Sequence, residues 1–208
     1  MACSDIMVVL SAGTVLRRFT MLSTAWGDES IRNKDLDHPW YLIGASLIEG
    51  EPDSIRSKLM RLKPAGAKKL HWHDMTPRFK NEVIKSLEGM ESLHIIVVGE
   101  RMAHMKDERA RRKCLERLLP ILEGYGIEQL VLEARTDVLN KADNAHRMQL
   151  ERTGVVSRIR ITHMRGDAEP LLWLPDQALG AYVDTRLGLQ DFNLFTDTKI
   201  IDERVALM

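Results

Sequence analysis

The sequence predicts an α/β protein with a central mixed sheet and helices on both faces. Strand-like runs rich in β-branched residues alternate with segments of helical apolar spacing, and Pro, Gly and capping residues separate them. The composition is that of a folded domain, since 44% of the 208 residues are hydrophobic and 29% are charged. We expect one domain over residues 21–208, with a weakly patterned tail from about residue 189. Residues 1–20 are expected to be an extension outside the core, with Met21 as a candidate native start.

The predicted order is two strands, a helix, a connecting segment, and then alternating helices and strands. Strands are predicted where apolar and β-branched residues form short runs, at residues 22–26, 40–48, 93–98, 127–134 and 158–164. Helices are predicted where a capping residue or proline precedes a helical period, at residues 53–62, 76–90, 105–123, 138–152 and 175–187. Active sites of such sheets gather at strand ends.

Cysteine content and missing motifs exclude several classes of protein. Cys3 and Cys114 form no CxxC pair, which argues against a disulfide scaffold and favours a reducing cytoplasm. No apolar run is long enough to span a membrane, and basic residues follow the first apolar stretch instead of preceding it, so we expect no export signal. The dinucleotide, P-loop, nucleophile-elbow and zinc-protease motifs are absent.

Charge is distributed in blocks although the formal net charge is zero. Residues 28–53 hold seven acidic and two basic side chains, whereas residues 56–85 hold nine basic and two acidic ones, and residues 101–117 hold seven basic and three acidic ones. Such blocks are usually solvated helix faces, but they are also compatible with a basic rim around an acidic pocket. Neutrality excludes a bulk polycation that coats nucleic acid.

Acidic residues are expected at the ends of three distant elements. Asp28 and Glu29 follow the first predicted strand, Glu133 ends a later strand, and Asp176 lies in the first turn of the last predicted helix. Carboxylates from separate segments are what a Mg²⁺ or Mn²⁺ site requires. Solvated strand ends, or a charge that offsets a helix dipole, would explain the same placement without a function.

The connecting segment contains a second cluster of polar residues, His71-Trp72-His73-Asp74. On an extended segment, His71 and His73 would point to one side and Asp74 to the other. The histidines could ligate zinc, shuttle protons or contact phosphate, or the segment could simply be exposed and polar.

One predicted helix carries a basic stripe opposite a leucine face. Arg109, Lys113 and Arg117 recur every four residues and could contact a phosphate backbone, or form an ordinary solvated face. Cys114 lies beside the stripe and is expected to be a buried structural thiol.

Three segments together resemble the large bacterial DUF3800 family: Trp26-Gly27-Asp28-Glu29-Ser30, Lys69-Leu70-His71, and residues 174–181, Leu-Pro-Asp-Gln-Ala-Leu-Gly-Ala. The resemblance spans about residues 21–188. It implies a ribonuclease H-like three-layer fold with a cluster of acidic metal ligands.

The resemblance also implies roles for individual residues. Asp28 and Asp176 match the carboxylates of the first strand and last helix, Glu133 fits the strand-end position, and His71 matches the histidine of the connecting segment. Ile31 stands where the family usually has Gly, and Lys69 stands where an acidic residue is common. These departures bear on whether the site is intact.

Together these features predict a metal-dependent phosphodiesterase, a nuclease acting on DNA or RNA. Asp28, Glu133 and Asp176 would hold Mg²⁺ or Mn²⁺, and Asp28, Asp176 and His71 would carry the catalysis. A less central set of candidates comprises Glu29, Ser30, His73 and Asp74. The alternative is a catalytically inactive module of the same fold that binds nucleic acid or protein.

Overall fold

The computed structural model describes residues 23–33, 39–102 and 104–207, so the predicted extension over residues 1–20 and Met21 lie outside the described residues. Six strands form one sheet in the order β5-β4-β1-β2-β3-β6. They are β1 (Thr24–Arg32), β2 (Trp40–Ile48), β3 (Ser92–Arg101), β4 (Gln129–Glu133), β5 (Arg160–Met164) and β6 (Ile200–Leu207). β1, β2 and β3 form an antiparallel meander, whereas the pairs β1–β4, β4–β5 and β3–β6 are parallel.

Within the described ranges, six helices connect the strands, and proline or threonine marks several of their starts. They are α1 (Pro52–Leu62), α2 (Pro77–Glu88), α3 (Asp107–Gly124), α4 (Asp137–Arg152), α5 (Trp173–Arg186) and α6 (Asn193–Lys199). Thr76 and Thr136 cap α2 and α4 by accepting backbone N–H bonds through their side chains. Short 3-10 turns lie at Trp72–Asp74 and Pro170–Leu172.

Alternation along the strands divides the core into two sides. Ala25 and Leu130 pack with the leucine face of α3, where Leu115, Leu118, Leu119 and Leu122 are fully buried. Trp26 and Val131 point to the opposite side and pack with α1, α2 and α5. The predicted three-layer arrangement, with helices on both faces of a mixed sheet, is therefore confirmed.

Three local expectations were wrong. β1 does not end before Asp28 but continues through it to Arg32, because its pairing with β2 extends that far. The segment after His71 is a 3-10 turn and not extended, since Asp74 N–H bonds back to the carbonyl of His71. The weakly patterned stretch from residue 189 contains α6 and β6, and β6 pairs with β3 along its whole length.

None of the described helices is long and apolar enough to cross a membrane.

Candidate active site

The parallel pairing of β1 with β4 places two candidate carboxylates side by side on neighbouring strands. Gly27 lies opposite Leu132, so Asp28 and Glu133 follow at the same height. Both side chains point to the α5 side of the sheet, as Trp26 and Val131 do two residues before them. β4 ends at Glu133 while β1 continues, and this difference in length opens the edge beside Asp28.

The third carboxylate, Asp176, lies in the first turn of α5, where the helix dipole favours a negative charge. Its Oδ2 accepts hydrogen bonds from the backbone N–H of Trp72 at 2.9 Å and from Gln177 Nε2 at 3.0 Å. Nδ1 of His71 lies 3.2 Å from the same oxygen. Asp176 therefore connects α5 to the segment that carries the candidate histidine.

Lys69 is bonded to the remaining candidate carboxylate. Its Nζ lies 2.9 Å from both Oε1 and Oε2 of Glu133. Gly166 packs directly against that carboxylate, because a Cβ on Gly166 would lie only 2.5–2.8 Å from the carboxyl atoms of Glu133. The position of Glu133 is therefore set from two sides.

Asp28 feels the charges of the other two candidate carboxylates. Burial raises the pKa of Asp28 well above its usual range, and the negative charges of Asp176 and Glu133 raise it further. The hydrogen bond to Asp176 raises the pKa of His71. Burial alone would lower the pKa of Lys69, but its bonds to Glu133 and the attraction of the other two carboxylates outweigh burial and raise it.

Two adjoining clefts open at this edge of the sheet. The first has a volume of about 170 Å³ and is lined by Asp28, Glu29, Arg111, Leu132, Glu133, Ala134 and Arg135. The second has a volume of about 290 Å³ and is lined by Lys68, Lys69, Glu133, Ala134, Arg165, Gly166 and Asp167. They share Glu133 and Ala134. Of the three candidate carboxylates, only Glu133 lines the second cleft, whose lining includes three cationic and two acidic side chains.

The less central candidates are spread over both sides of the sheet. Glu29 points to the α3 side, where it accepts hydrogen bonds from Tyr41 and Arg111. Ser30 is half-buried on β1, two residues beyond Asp28. His73 and Asp74 are exposed on the 3-10 turn, and the ring centroids of His73 and His71 are 5.6 Å apart. Partial desolvation of the ring and the positive charge of Arg32 lower the pKa of His73.

The basic stripe lies on the outer surface of α3, across the sheet from Asp28. Arg109, Lys113 and Arg117 are exposed. Lys113 pairs with Glu116 at 2.7 Å and Arg117 pairs with Glu203 at 2.8 Å. The structure therefore does not bring this stripe together with the carboxylates. Cys114, beside it, is buried as predicted, and burial raises its pKa to about 12.

A supporting contact that the sequence did not reveal holds the His71 segment on α5. The indole of Trp72 is 1% exposed and packs on Gly180, and its Nε1 donates to Asp184 Oδ2 at 3.2 Å. Lys80 donates to the same carboxylate at 2.8 Å and lies over the indole. Asp176, Gly180 and Asp184 are four residues apart, and this spacing was the available signal, since such residues share one helix face.

A second buried charge cluster, on the α3 side, was also missed. Arg111 donates to both carboxylate oxygens of Asp143 at 2.9 Å. Arg135 and His163 bond to the same carboxylate, at 3.1 and 2.9 Å. The burial of Asp143 would raise its pKa, but the bonds from His163 and Arg111 lower it strongly. This cluster ties α3 and α4 to β5 and forms the far wall of the first cleft.

The donors present fit a hard divalent cation in part. Among the described residues, no group of three or more His, Cys, Asp or Glu side chains is already arranged to hold a metal ion, so His71 and His73 have no third ligand of these types in place for zinc. Within the described part of the chain, Asp28 Oδ2 and Asp176 Oδ1 accept no hydrogen bond and remain available to a cation. Glu133 fits the same ion only when Lys69 leaves it.

Comparison with solved structures identifies the fold of the chain. The chain matches no protein-family model, and no curated protein matches it in sequence. It superposes on a chain of the PCNA–RNase HII complex from Archaeoglobus fulgidus with a TM-score of 0.50 and 14% identity, over 84% of this chain and 75% of that one. The chain has a ribonuclease H-like fold.

Two further solved structures are similar. The ribonuclease H2 from Pyrococcus horikoshii OT3 gives a TM-score of 0.47 at 12% identity, over 84% of this chain and 76% of that one. Bst-RNase HIII in complex with Mn²⁺ gives 0.40 at 9% identity, over 81% and 56%. At such identities the likeness concerns the ribonuclease H-like fold alone, and the chemistry has to be argued from the side chains.

Proposed function

We propose that this chain is a divalent-metal-dependent phosphodiesterase that cleaves nucleic acid in the cytoplasm. The observation that carries the proposal is that Asp28, Glu133 and Asp176, from β1, β4 and α5, lie near enough for the charges of the last two to act on Asp28, and that Asp28 and Glu133 line an open cleft. Such oxygen ligands suit Mg²⁺ or Mn²⁺. The resemblance of the Asp28, His71 and Asp176 segments to the DUF3800 family is part of this proposal.

Asp28 and Asp176 would hold the metal through their free oxygens, with Glu133 as the third ligand. Bound there, one or two such ions would activate a water and stabilise the leaving oxygen of a phosphodiester. The chain itself contributes the placement of these carboxylates. Trp72 N–H and Gln177 bond to Asp176 Oδ2 and leave its Oδ1 without a hydrogen bond from the described residues.

His71 would act in proton transfer. Its Nδ1 bonds to Asp176, which orients the ring and leaves Nε2 for a substrate oxygen or a water. The raised pKa of His71 increases the share of the imidazolium form near neutral pH. Nε2–H of that form could donate a proton to a leaving oxygen, which is general acid catalysis.

The nucleic acid would approach through the second cleft, because it shares Glu133 with the first and holds more cations than carboxylates. Arg165 pairs with Asp167 there at 2.5 Å, so part of its charge is already used. Arg109, Lys113 and Arg117 are a separate candidate contact surface, across the sheet. A nucleic acid that contacts both surfaces would have to pass around an edge of the sheet.

The alternative proposal is an inactive relative of the same fold that binds nucleic acid or protein without cleaving it. One observation favours it: an ammonium, that of Lys69, already bonds both oxygens of Glu133, where a metal would need them. An inactive protein would bind oligonucleotides equally well with and without metal. Mn²⁺ binding by calorimetry, and its loss in Asp28→Asn, separate the two proposals.

The test of the nuclease is cleavage of labelled single-stranded DNA, duplex DNA, RNA and RNA–DNA hybrid with Mg²⁺, with Mn²⁺ and with EDTA. We expect metal-dependent cleavage of at least one substrate. Asp28→Asn and Asp176→Asn should each lower it by more than about 100-fold, because each removes a charged ligand.

Asp197→Asn is the matched control, since Asp197 is an exposed carboxylate on α6 and should leave cleavage unchanged. Circular dichroism should show that all three variants remain folded. Absence of metal-stimulated cleavage on all four substrates would remove the nuclease proposal. Cleavage that persists in both active-site variants would place the chemistry elsewhere.

A further inference from the structure

The bond between Lys69 and Glu133 places a positive charge at the candidate metal centre. Nζ is 2.9 Å from each oxygen of Glu133, and the two side chains are 29% and 30% exposed. The ammonium of Lys69 thus bonds both oxygens of one carboxylate, as a metal ion can. Asp28 and Asp176 attract the same ammonium from a greater distance.

The two partners differ in their freedom to move. Glu133 ends β4, and its carboxylate lies against Gly166, whose backbone carbonyl accepts the indole N–H of Trp173 at 2.6 Å. Lys69 belongs to the irregular segment before the 3-10 turn and carries its charge on a flexible four-carbon stem. If the pair separates, Lys69 is therefore the partner that leaves, and it lines the second cleft into which it can turn.

We propose that Lys69 is an internal counter-cation that occupies Glu133 in the metal-free protein and is displaced when a divalent ion binds. This inference rests on the proposed metal centre. A doubly charged ion bonded to Glu133 would repel an ammonium on the same carboxylate, so the two exclude each other. Lys69 would keep the carboxylate cluster stable without metal and weaken its affinity for metal.

The experiment is titration of MnCl₂ into the full chain by calorimetry, with Lys69→Gln compared with the wild type. Removing the competing charge should lower the Mn²⁺ Kd at least tenfold. The gain should vanish in the Glu133→Gln background, where the carboxylate that Lys69 blocks is absent. Lys85→Gln removes an exposed lysine charge from α2 and should leave the Kd within about twofold.

The outcomes separate this inference from the proposed function. Suppose that the wild type binds Mn²⁺, that Asp28→Asn abolishes the binding, and that Lys69→Gln binds with an equal or higher Kd. This result overturns the role of Lys69 and leaves the proposed metal centre in place. If neither protein binds Mn²⁺, both proposals fail. If only Lys69→Gln binds, Mn²⁺ does not displace Lys69 in the wild type, so the proposed displacement is overturned and the wild-type chain is not a metal-dependent nuclease.

Folding of the variant gives a second measurement. Without Lys69, Glu133 loses its bonded cation and Asp28 and Asp176 lose its attraction. Lys69→Gln should therefore be less stable than the wild type in EDTA and should regain stability when Mn²⁺ is added. A Lys69→Gln protein that is unfolded in EDTA and folds with Mn²⁺ also supports the proposal. One that stays unfolded at every Mn²⁺ concentration overturns it, because the metal then cannot replace the ammonium.

Discussion

Gly180 is the position where α5 meets the segment that carries His71, and Gly180→Ala tests that contact. A Cβ at this position would lie closer than 3.0 Å to three ring atoms of Trp72, a separation that real Cβ atoms do not show. The indole is buried, bonded to Asp184 and packed against Phe192, so it has little room to move aside. We expect Gly180→Ala to destabilise the protein, although alanine favours a helix more than glycine does.

Three contributions determine the size of the effect. Overpacking a buried site costs about 1–3 kcal/mol. Weakening the hydrogen bond from Trp72 to the carboxylate of Asp184 adds about 1 kcal/mol. Alanine in a helix interior returns about 1 kcal/mol relative to glycine. The free energy of unfolding should therefore fall by about 1–3 kcal/mol, which for a chain of this size lowers Tm by roughly 2–12 °C.

The assay is urea denaturation followed by circular dichroism, with thermal melting as a second measurement. Gly124→Ala is the matched control: Gly124 is also helical, at the end of α3, and a Cβ there would meet no atom within 4 Å. The control should be as stable as the wild type. In a Trp72→Phe background the smaller ring should relieve part of the clash. A Gly180→Ala protein as stable as the control would refute the close packing of Trp72 on α5.

Three further predictions concern stability and the metal centre. Burial lowers the pKa of His94 from 6.5 to about 3, so only the unfolded chain takes up this proton between those pH values. The free energy of unfolding should fall by up to about 1.4 kcal/mol per pH unit as pH drops below 6.5, and an unchanged pH dependence in His94→Gln would contradict this. Asp143→Ala leaves Arg111 buried without its bidentate partner and should cost about 3–5 kcal/mol in urea denaturation; a loss below about 1 kcal/mol would count against it. Gly166→Ala should push the carboxylate of Glu133 from its place and raise the Mn²⁺ Kd in calorimetry, and an unchanged Kd would show that this carboxylate does not bind the ion.

Most of the fold could be predicted from local patterns. Helices α1 to α5 and strands β2 to β5 lie close to their predicted ranges, because periodicity and capping depend on residues that are close in sequence. α6 and β6 were missed because their pattern is weak. Strand β6 is held by its pairing with β3, a partner about a hundred residues earlier in the chain.

For the candidate site, the sequence by itself determined which residues are worth considering: carboxylates at Asp28, Glu133 and Asp176, and His71 before a helix. Only the tertiary structure decided which of them meet. The parallel pairing of β1 with β4 sets Asp28 beside Glu133. Because β1 continues through residues 28 and 29, strand alternation turns Glu29 to the opposite side of the sheet.

The role of Lys69 also depends on the tertiary structure. In the sequence, Lys69 stands where the DUF3800 family commonly has an acidic residue, which suggests a lost ligand. In the structure it is a cation bonded to Glu133, 64 residues away. The physical reason is that secondary structure depends on neighbours along the chain, whereas the charge and pKa of a site depend on distances in space. Those distances follow from strand order, register and packing, which no local pattern contains.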